Sequence, residues 1–365
     1  MSGFCLLHGD CAEQLREIPD ESVDAVVTDP PYELGFMGKG WDAAGIAYSV
    51  DLWREVLRVL KPGGHLLSFG ATRTYHRMTV AIEDAGFEIR DSIHWIYGSG
   101  MPKSHDISKA IDKAAGAERP VIGQYQLPNG KGWNLKQADA PTGDESGSTF
   151  TASGRRTLAI TGPATEEAAT WDGWGTALKP AHEPIVVARK PLDGTTVENV
   201  LKHGVGGLNV KATRVGDEAR VNVPAGNKAG GTALNMGVYG MPQDAQPTAA
   251  IGRWPPNVAV DEAAAGALGD AAEFFPVFRY EKKAARKERE AGIERNTHPT
   301  VKPVELMRWL VKLVTPPQGV VLDPFMGSGT TGVACMKDGF KFVGVERELE
   351  YLEIAQARIE NACGQ

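Results

Sequence analysis

Four short apolar runs in this chain each lead into an acidic residue: Leu6-Leu7-His8-Gly9 before Asp10, Asp24-Ala25-Val26-Val27-Thr28 before Asp29, Val320-Val321-Leu322 before Asp323, and Phe340 to Val345 before Glu346. Runs of this length read as buried strands. Helical stripes stand between and around them: Leu52 to Leu60, Arg73 to Ala85, Pro303 to Val314, Thr330 to Lys337 and Leu349 to Ile359. Strand and helix alternating over short connections predict an α/β fold with a doubly wound, mostly parallel sheet. In such a sheet ligands sit beyond the carboxyl ends of the strands, so all four carboxylates face one crevice. One Asp after a strand is commonly just a turn former or a helix cap. Four of them, two opening directly into a proline corner and a glycine-rich loop, point to a site.

The 365 residues allow two domains, or one large core with an insertion. No apolar run approaches the ~20 residues of a membrane span. The start, Met-Ser-Gly-Phe-Cys-Leu-Leu-His, has neither the basic nor the long apolar part of a signal peptide. A cytoplasmic protein is expected. Cys5, Cys11, Cys335 and Cys363 are scattered, with no C-x-x-C and no His at ligand spacing, so neither a disulfide scaffold nor a metal site is expected. With a net charge of −7, binding to nucleic acid would need a local basic surface.

Along the chain, residues 1–98, 175–191 and 295–365 carry the α/β pattern. Residues 99–174 read as a loop-rich insertion. Ile185 to Ala188 is a strand expected to pair antiparallel with Phe87 to Tyr97 at the edge of the sheet. Residues 192–294 mix Gly, Pro and Asn with basic residues including Lys211, Arg214 and Arg253, and are a candidate second domain. The Lys282 to Arg289 cluster at its end is equally well a solvated helix face balanced by Glu281, Glu288 and Glu290.

Two stretches carry chemistry. In Asp29-Pro30-Pro31-Tyr32 the prolines end both the strand and any following helical turn. What is left on a stiff corner is a carboxylate, backbone carbonyls and an aromatic ring, a set that accepts hydrogen bonds from an amino group and stacks on a flat ring. The loop after it, Glu33 to Ser49, carries Phe36, Lys39 and Trp41 and is placed beside the site. The second stretch, Asp323-Pro324-Phe325-Met326-Gly327-Ser328-Gly329-Thr330-Thr331-Gly332, holds G-x-G-x-x-G between a strand and a helix, with Glu346 about twenty residues past the first glycine. By itself this is compatible with NAD, FAD or S-adenosylmethionine.

The two stretches together resemble the DNA amino-methyltransferases. Asp29-Pro30-Pro31-Tyr32 is similar to their catalytic corner, Asp323 to Thr330 to their cofactor loop, and His298-Pro299-Thr300-Val301-Lys302-Pro303 to the motif that precedes that loop. The order, corner first and cofactor loop last, matches the circularly permuted β group. The resemblance covers residues 5–97 and 296–359, and implies a Rossmann-like methyltransferase sheet closed from both chain ends, with a target-recognition region at 192–294. It further implies methyl transfer from S-adenosylmethionine, leaving S-adenosylhomocysteine, to the N6 amino group of an adenine flipped out of double-stranded DNA. Asp29, Pro30, Pro31 and Tyr32 would be catalytic. Asp10, Thr300, Lys302, Asp323, Phe325, Gly327, Ser328, Gly329, Thr330 and Glu346 would bind the cofactor, with Lys302 and Thr300 at its carboxylate. Phe36, Lys39, Trp41, Lys211, Arg214 and Arg253 would meet the base or the DNA, and the enzyme would be a homodimer. Cytosine N4 as acceptor and a catalytically dead DNA-binding scaffold are the alternatives. Whether a partner restriction endonuclease exists stays open.

Overall fold

Along a strand, successive side chains go to opposite faces, and a strand buried on both faces reads as an unbroken apolar run. The computed structural model follows that rule; it describes residues 3–34, 45–98, 100, 104–126, 148–150, 156–222, 248–278 and 301–364. In chain order its strands are β1 Phe4–His8, β2 Val23–Thr28, β3 Leu60–Phe69, β4 Glu88–Ile96, β5 Val121–Gln126, β6 Ser148–Phe150, β7 Arg156–Thr161, β8 His182–Arg189, β9 Val215–Asn222, β10 Thr248–Arg253, β11 Val258–Asp261, β12 Val277–Phe278, β13 Val320–Asp323 and β14 Lys341–Glu346. Ala25, Val27, Leu67, Phe69, Ile185, Val187 and Val321 pack with the helices Val304–Val314 and Thr330–Asp338. Their neighbours Val26, Leu66, Val186, Ala188 and Leu322 pack with Leu15 and the helices Val50–Val59 and Tyr75–Asp84. Both faces of the sheet are therefore covered.

Among the described residues the main sheet has nine strands in the order β1-β14-β13-β2-β3-β8-β4-β11-β12. β14, the last strand of the chain, pairs in parallel with β1, the first, from Phe4 opposite Phe342 to His8 opposite Glu346. β13 pairs in parallel with β2. The sheet thus closes from both chain ends, and the cofactor-type loop after β13 stands beside the corner after β2.

Three sequence readings change. β8 does pair antiparallel with β4, but it is not at the edge: it lies between β3 and β4, and β4 is followed by β11 and β12. Those two strands come from residues 192–294, so that stretch contributes to the main sheet and no break in packing falls at residue 192. At four and two residues they are too short to leave a readable period. β3 begins at Leu60 rather than His65, running through Lys61-Pro62-Gly63-Gly64; Gly63 takes a left-handed φ of 80°, and the register with β2 shifts between Val23 and Ala25.

The chain divides into two compact units, residues 1–99 with 181–365, and residues 100–180. The second unit is more ordered than its loop-like composition suggested. It holds an antiparallel β5-β7-β6 sheet and the helices Ile107–Ala114 and Glu166–Thr170. Buried Asp112 ties it together, accepting hydrogen bonds from Arg119 (2.5 Å), the amides of Ala164 and Thr165 (3.0 Å each) and the Thr165 hydroxyl (2.9 Å).

On β3, His65 is 5 % exposed and its Nδ1 has no hydrogen-bond partner among the described residues. Burial, then the Arg189 and Arg90 charges, push its pKa down to about 4. The unfolded chain takes up a proton near its ordinary value of 6.5 while the fold refuses it, so this contribution to stability is whole at neutral pH and is lost as pH falls from 6.5 towards 4. Between pH 7 and pH 5 it amounts to about 2 kcal/mol. Urea unfolding at the two pH values should show a smaller loss for His65→Gln than for the parent; equal losses would exclude this assignment.

Candidate active site

The site is built at the carboxyl ends of β2, β13 and β14, and its base is buried Asp323. One carboxylate oxygen accepts from the Thr28 hydroxyl (2.7 Å) and the Phe325 amide (3.1 Å), the other from the Thr331 hydroxyl (2.6 Å). Burial pushes its pKa up to about 6, against the pull of those hydrogen bonds. Its side chain is committed to joining β2, the glycine loop and the helix behind it.

The glycine loop divides its labour. Gly327 and Gly329 take left-handed φ values of 53° and 76°. A Cβ on Gly329 would lie 2.8 Å from that of Ala355, and one on Gly332 would lie 2.4 Å from Ile359 Cδ1 and 2.8 Å from the Phe342 ring. Gly329 and Gly332 therefore let the C-terminal helix Leu349–Cys363 and β14 close on the loop. From that helix buried Arg358 donates to the Ser328 carbonyl, the Ser328 hydroxyl (3.0 Å) and the Thr330 hydroxyl (3.3 Å). Phe325 is partly buried against the core.

At the ends of the neighbouring strands, Glu346 accepts one backbone amide on each oxygen, Gly327 N and Glu348 N, both at 2.8 Å. Burial raises its pKa, partly offset by those amides. Asp10 caps the short helix Cys11–Gln14, accepting from the Ala12 amide at 2.9 Å. The Gly9 amide donates to the Glu346 carbonyl at 3.0 Å, so the two acids flank one crevice.

The corner itself is more heavily charged than the sequence indicated. Lys302 Nζ donates to Asp29 Oδ2 (2.7 Å) and the Tyr32 hydroxyl (3.0 Å), and lies 3.2 Å from Glu183 Oε2. An ammonium has three N–H donors, and these three acceptors satisfy it. The family resemblance implied a cofactor carboxylate for Lys302; here its ammonium is directed to the corner. Burial alone would lower its pKa, but Asp29 and Glu183 outweigh that and raise it. The Tyr32 hydroxyl donates to Glu183 Oε2 at 3.1 Å, and its own pKa is raised by burial and then by Asp29 and Glu183. Thr74 pins the backbone here, donating to the Tyr32 carbonyl at 2.9 Å. Among the described residues, the buried Asp29 Oδ1 has no hydrogen-bond partner.

Glu183, Thr28, Thr74 and Arg358 were not singled out from sequence. Only Glu183 left a signal: β8 is antiparallel, so an acid at its start must lie at the carboxyl ends of the parallel strands. Phe36, Lys39, Trp41 and Thr300 lie outside the described residues. Among the DNA-contact candidates, Lys211 is exposed, while Arg214 donates to the Gly252 carbonyl (2.9 Å) beneath the Trp254 ring, and Arg253 pairs with Glu273 (2.7 Å) over Phe274. Arg253 is thus already held by an acid of its own fold. Among the described residues no cluster of His, Cys, Asp or Glu could hold a metal ion, and no helix is long and apolar enough to cross a membrane.

A doubly wound sheet with a glycine loop and an amino-accepting corner on adjacent strand ends defines a Rossmann-like methyltransferase. The profile of the N6/N4 DNA methylase family matches residues 23–357, and the chain belongs to that family. It is 22% identical over 404 residues to the type II methyltransferase M.HindIII of Haemophilus influenzae, covering 98% of this chain and 97% of the relative. A shorter match to the type II methyltransferase M2.DpnII of Streptococcus pneumoniae is 46% identical over 63 residues, 17% of this chain and 24% of the relative. Among solved structures, the M1.HpyAVI–SAM complex aligns over 98% of both chains at 18% identity and a TM-score of 0.44. The PvuII DNA methyltransferase, described as cytosine-N4-specific, aligns over 98% of this chain and 86% of its own at 14% identity and a TM-score of 0.48.

The packing at Gly332 yields a direct check on the loop. Gly332→Ala forces Ile359 and the Phe342 ring aside, and overpacking of this kind costs roughly 1–3 kcal/mol. Urea denaturation should show that loss; an unchanged midpoint would mean the helix and loop are not in contact as described.

Proposed function

We propose that the protein transfers a methyl group from S-adenosylmethionine to the N6 amino group of an adenine flipped out of double-stranded DNA. The observation that carries this is the buried Asp29 Oδ1 without a partner. A buried carboxylate oxygen left unsatisfied is costly, and an exocyclic amino group is a donor of the right polarity to fill it. The Pro30 carbonyl accepts the second amino hydrogen, and the Tyr32 ring stacks on the base. Holding both hydrogens draws the amino lone pair out of conjugation with the ring and stabilises the positive charge that develops on the nitrogen. A base paired inside a duplex cannot reach this corner, so flipping is required, and stacking worth ~1–3 kcal/mol offsets part of its cost.

The donor set of the crevice fits S-adenosylmethionine. Each Glu346 oxygen uses one lone pair on a backbone amide and keeps another for a ribose hydroxyl. Asp10 stands next to it for the adenine end, Gly327 and Gly329 would admit the methionine part, and Phe325 would lie near it. When bound, the cofactor supplies an electrophilic methyl on a sulfonium sulfur, which keeps the electron pair of the broken bond. A carboxylate at position 29 favours adenine over cytosine by resemblance to the adenine branch of the family. Residues 192–294, with Lys211 exposed, are the target-recognition region of this reading, and the family resemblance implies a homodimer.

Three measurements test this. Calorimetry should show heat with S-adenosylmethionine and none with NAD. Mass spectrometry of nucleosides from DNA of cells expressing the protein should show N6-methyladenine; N4-methylcytosine alone would replace adenine by cytosine. Asp29→Ala should lower methyl transfer by roughly 10²–10³-fold, the scale of one preorganised electrostatic contact, with cofactor binding retained. An active variant would falsify the role given to Asp29.

A further inference from the structure

We propose that Glu183 and Lys302 are positioning residues that set the charge and orientation of the acceptor corner, with Glu183 providing the net negative charge that the developing cation on the amino nitrogen meets. The inference rests on the reading of the corner as the site of amino-group methylation.

The geometry carries the argument. Lys302 Nζ is bound to Asp29 through Oδ2, which leaves Oδ1 as the oxygen presented to a ligand. The ammonium is set between the rings of Tyr32 and Phe69, 5.2 and 4.8 Å from their centroids, so its position is fixed by packing as well as by hydrogen bonds. If Asp29 and Lys302 stood alone, their charges would cancel, and the corner would offer a neutral pair to a nitrogen that becomes positive as it takes the methyl. Glu183 changes that balance: two carboxylates around one ammonium leave a net charge of −1. The side chains are mostly buried, with 24 % of Asp29, 22 % of Glu183 and 13 % of Lys302 exposed, so the charge is only partly screened by water.

Glu183 has a second task. Its Oε2 receives the Tyr32 hydroxyl hydrogen, and Lys302 can only donate to that hydroxyl, so the direction of every bond in the cluster is determined. The Asp29 carboxylate is near enough to help raise the Tyr32 pKa. Without the Glu183 carboxylate that hydroxyl turns to Asp29 and competes with the substrate amino group. The sheet explains why this acid is available. β8 enters antiparallel, with Ile185 opposite Phe69, so Glu183 two residues earlier projects beyond the end of β3.

The test uses the full-length protein, tritiated S-adenosylmethionine and bulk genomic DNA lacking methylated bases. Glu183→Gln keeps the shape and an acceptor oxygen but removes the charge. The expected result is a kcat lower by roughly ten- to a hundredfold, KM for cofactor and DNA within about threefold of the parent, and recovery in part by Glu183→Asp. Lys302→Met leaves two carboxylates without their cation, one of which must then hold a proton to higher pH. Its acid limb in kcat against pH is expected to move up by at least one pH unit, a shift that loss of packing alone does not produce. Independently of activity, trace acetylation at pH 9 read by mass spectrometry should find Lys302 slow relative to exposed Lys109, and faster in Glu183→Gln. A full-rate Glu183→Gln, an unmoved acid limb, or equal acetylation in parent and variant would each overturn the inference. No transfer by the parent protein would overturn the methylation reading itself, and the inference with it.

Discussion

The hydrogen bond from the Thr28 hydroxyl to Asp323, 2.7 Å long and buried, joins two stretches almost three hundred residues apart. It closes the carboxyl end of a seam that is otherwise short, since only Ala25 with Val321 and Val26 with Leu322 pair across β2 and β13. The amino end is closed by Asp24, which accepts from the Val320 amide at 2.7 Å while Lys61 neutralises it at 2.6 Å. Two buried carboxylates thus clamp a two-pair ladder at both ends. The distance between the acceptor corner and the glycine loop depends on that clamp, because neither stretch is held to the other by chain connectivity.

Much of this architecture is legible in the sequence. The apolar runs ending in acids locate β1, β2, β13 and β14, and the order of the two motifs implies that β1 must complete a sheet begun by β14. Those signals are strong because a strand buried on both faces is mostly apolar, with polar residues such as Asp24 and Thr28 kept to its ends, where they find partners. The inner position of β8 is not legible, since whether a strand lies inside a sheet or at its rim depends on distant segments, here the short β11 and β12. Nor is the second unit, where Asp112 gathers donors from four groups, those of Arg119, Ala164 and Thr165, because contacts between such separate segments leave no period in the sequence.

In the site, residue identity is more legible than residue task. Lys302 stands out by its motif, but which carboxylate it meets depends on the antiparallel entry of β8, which delivers Glu183 to the same point. Arg358 lies in a helix whose sequence offers no reason to bury a guanidinium. Only the approach of that helix to Gly329 and Gly332 brings it to the Ser328 carbonyl, where a fixed cation holds a loop that glycine would otherwise leave loose.

The four acids that end strands show why a shared pattern does not mean a shared function. Asp10 serves as a helix cap. Asp323 receives three donors and has become part of the scaffold. Glu346 receives one amide per oxygen, which fixes its orientation and leaves acceptor capacity on both oxygens. Asp29 is bound on Oδ2 and bare on Oδ1. A carboxylate whose lone pairs are mostly taken by the fold has little left to offer a ligand, and one that the fold satisfies on no side would not hold still. Between the two lies a carboxylate whose acceptor capacity the fold satisfies in part and aims in the remainder, and among these four acids that condition is met most sharply at Asp29.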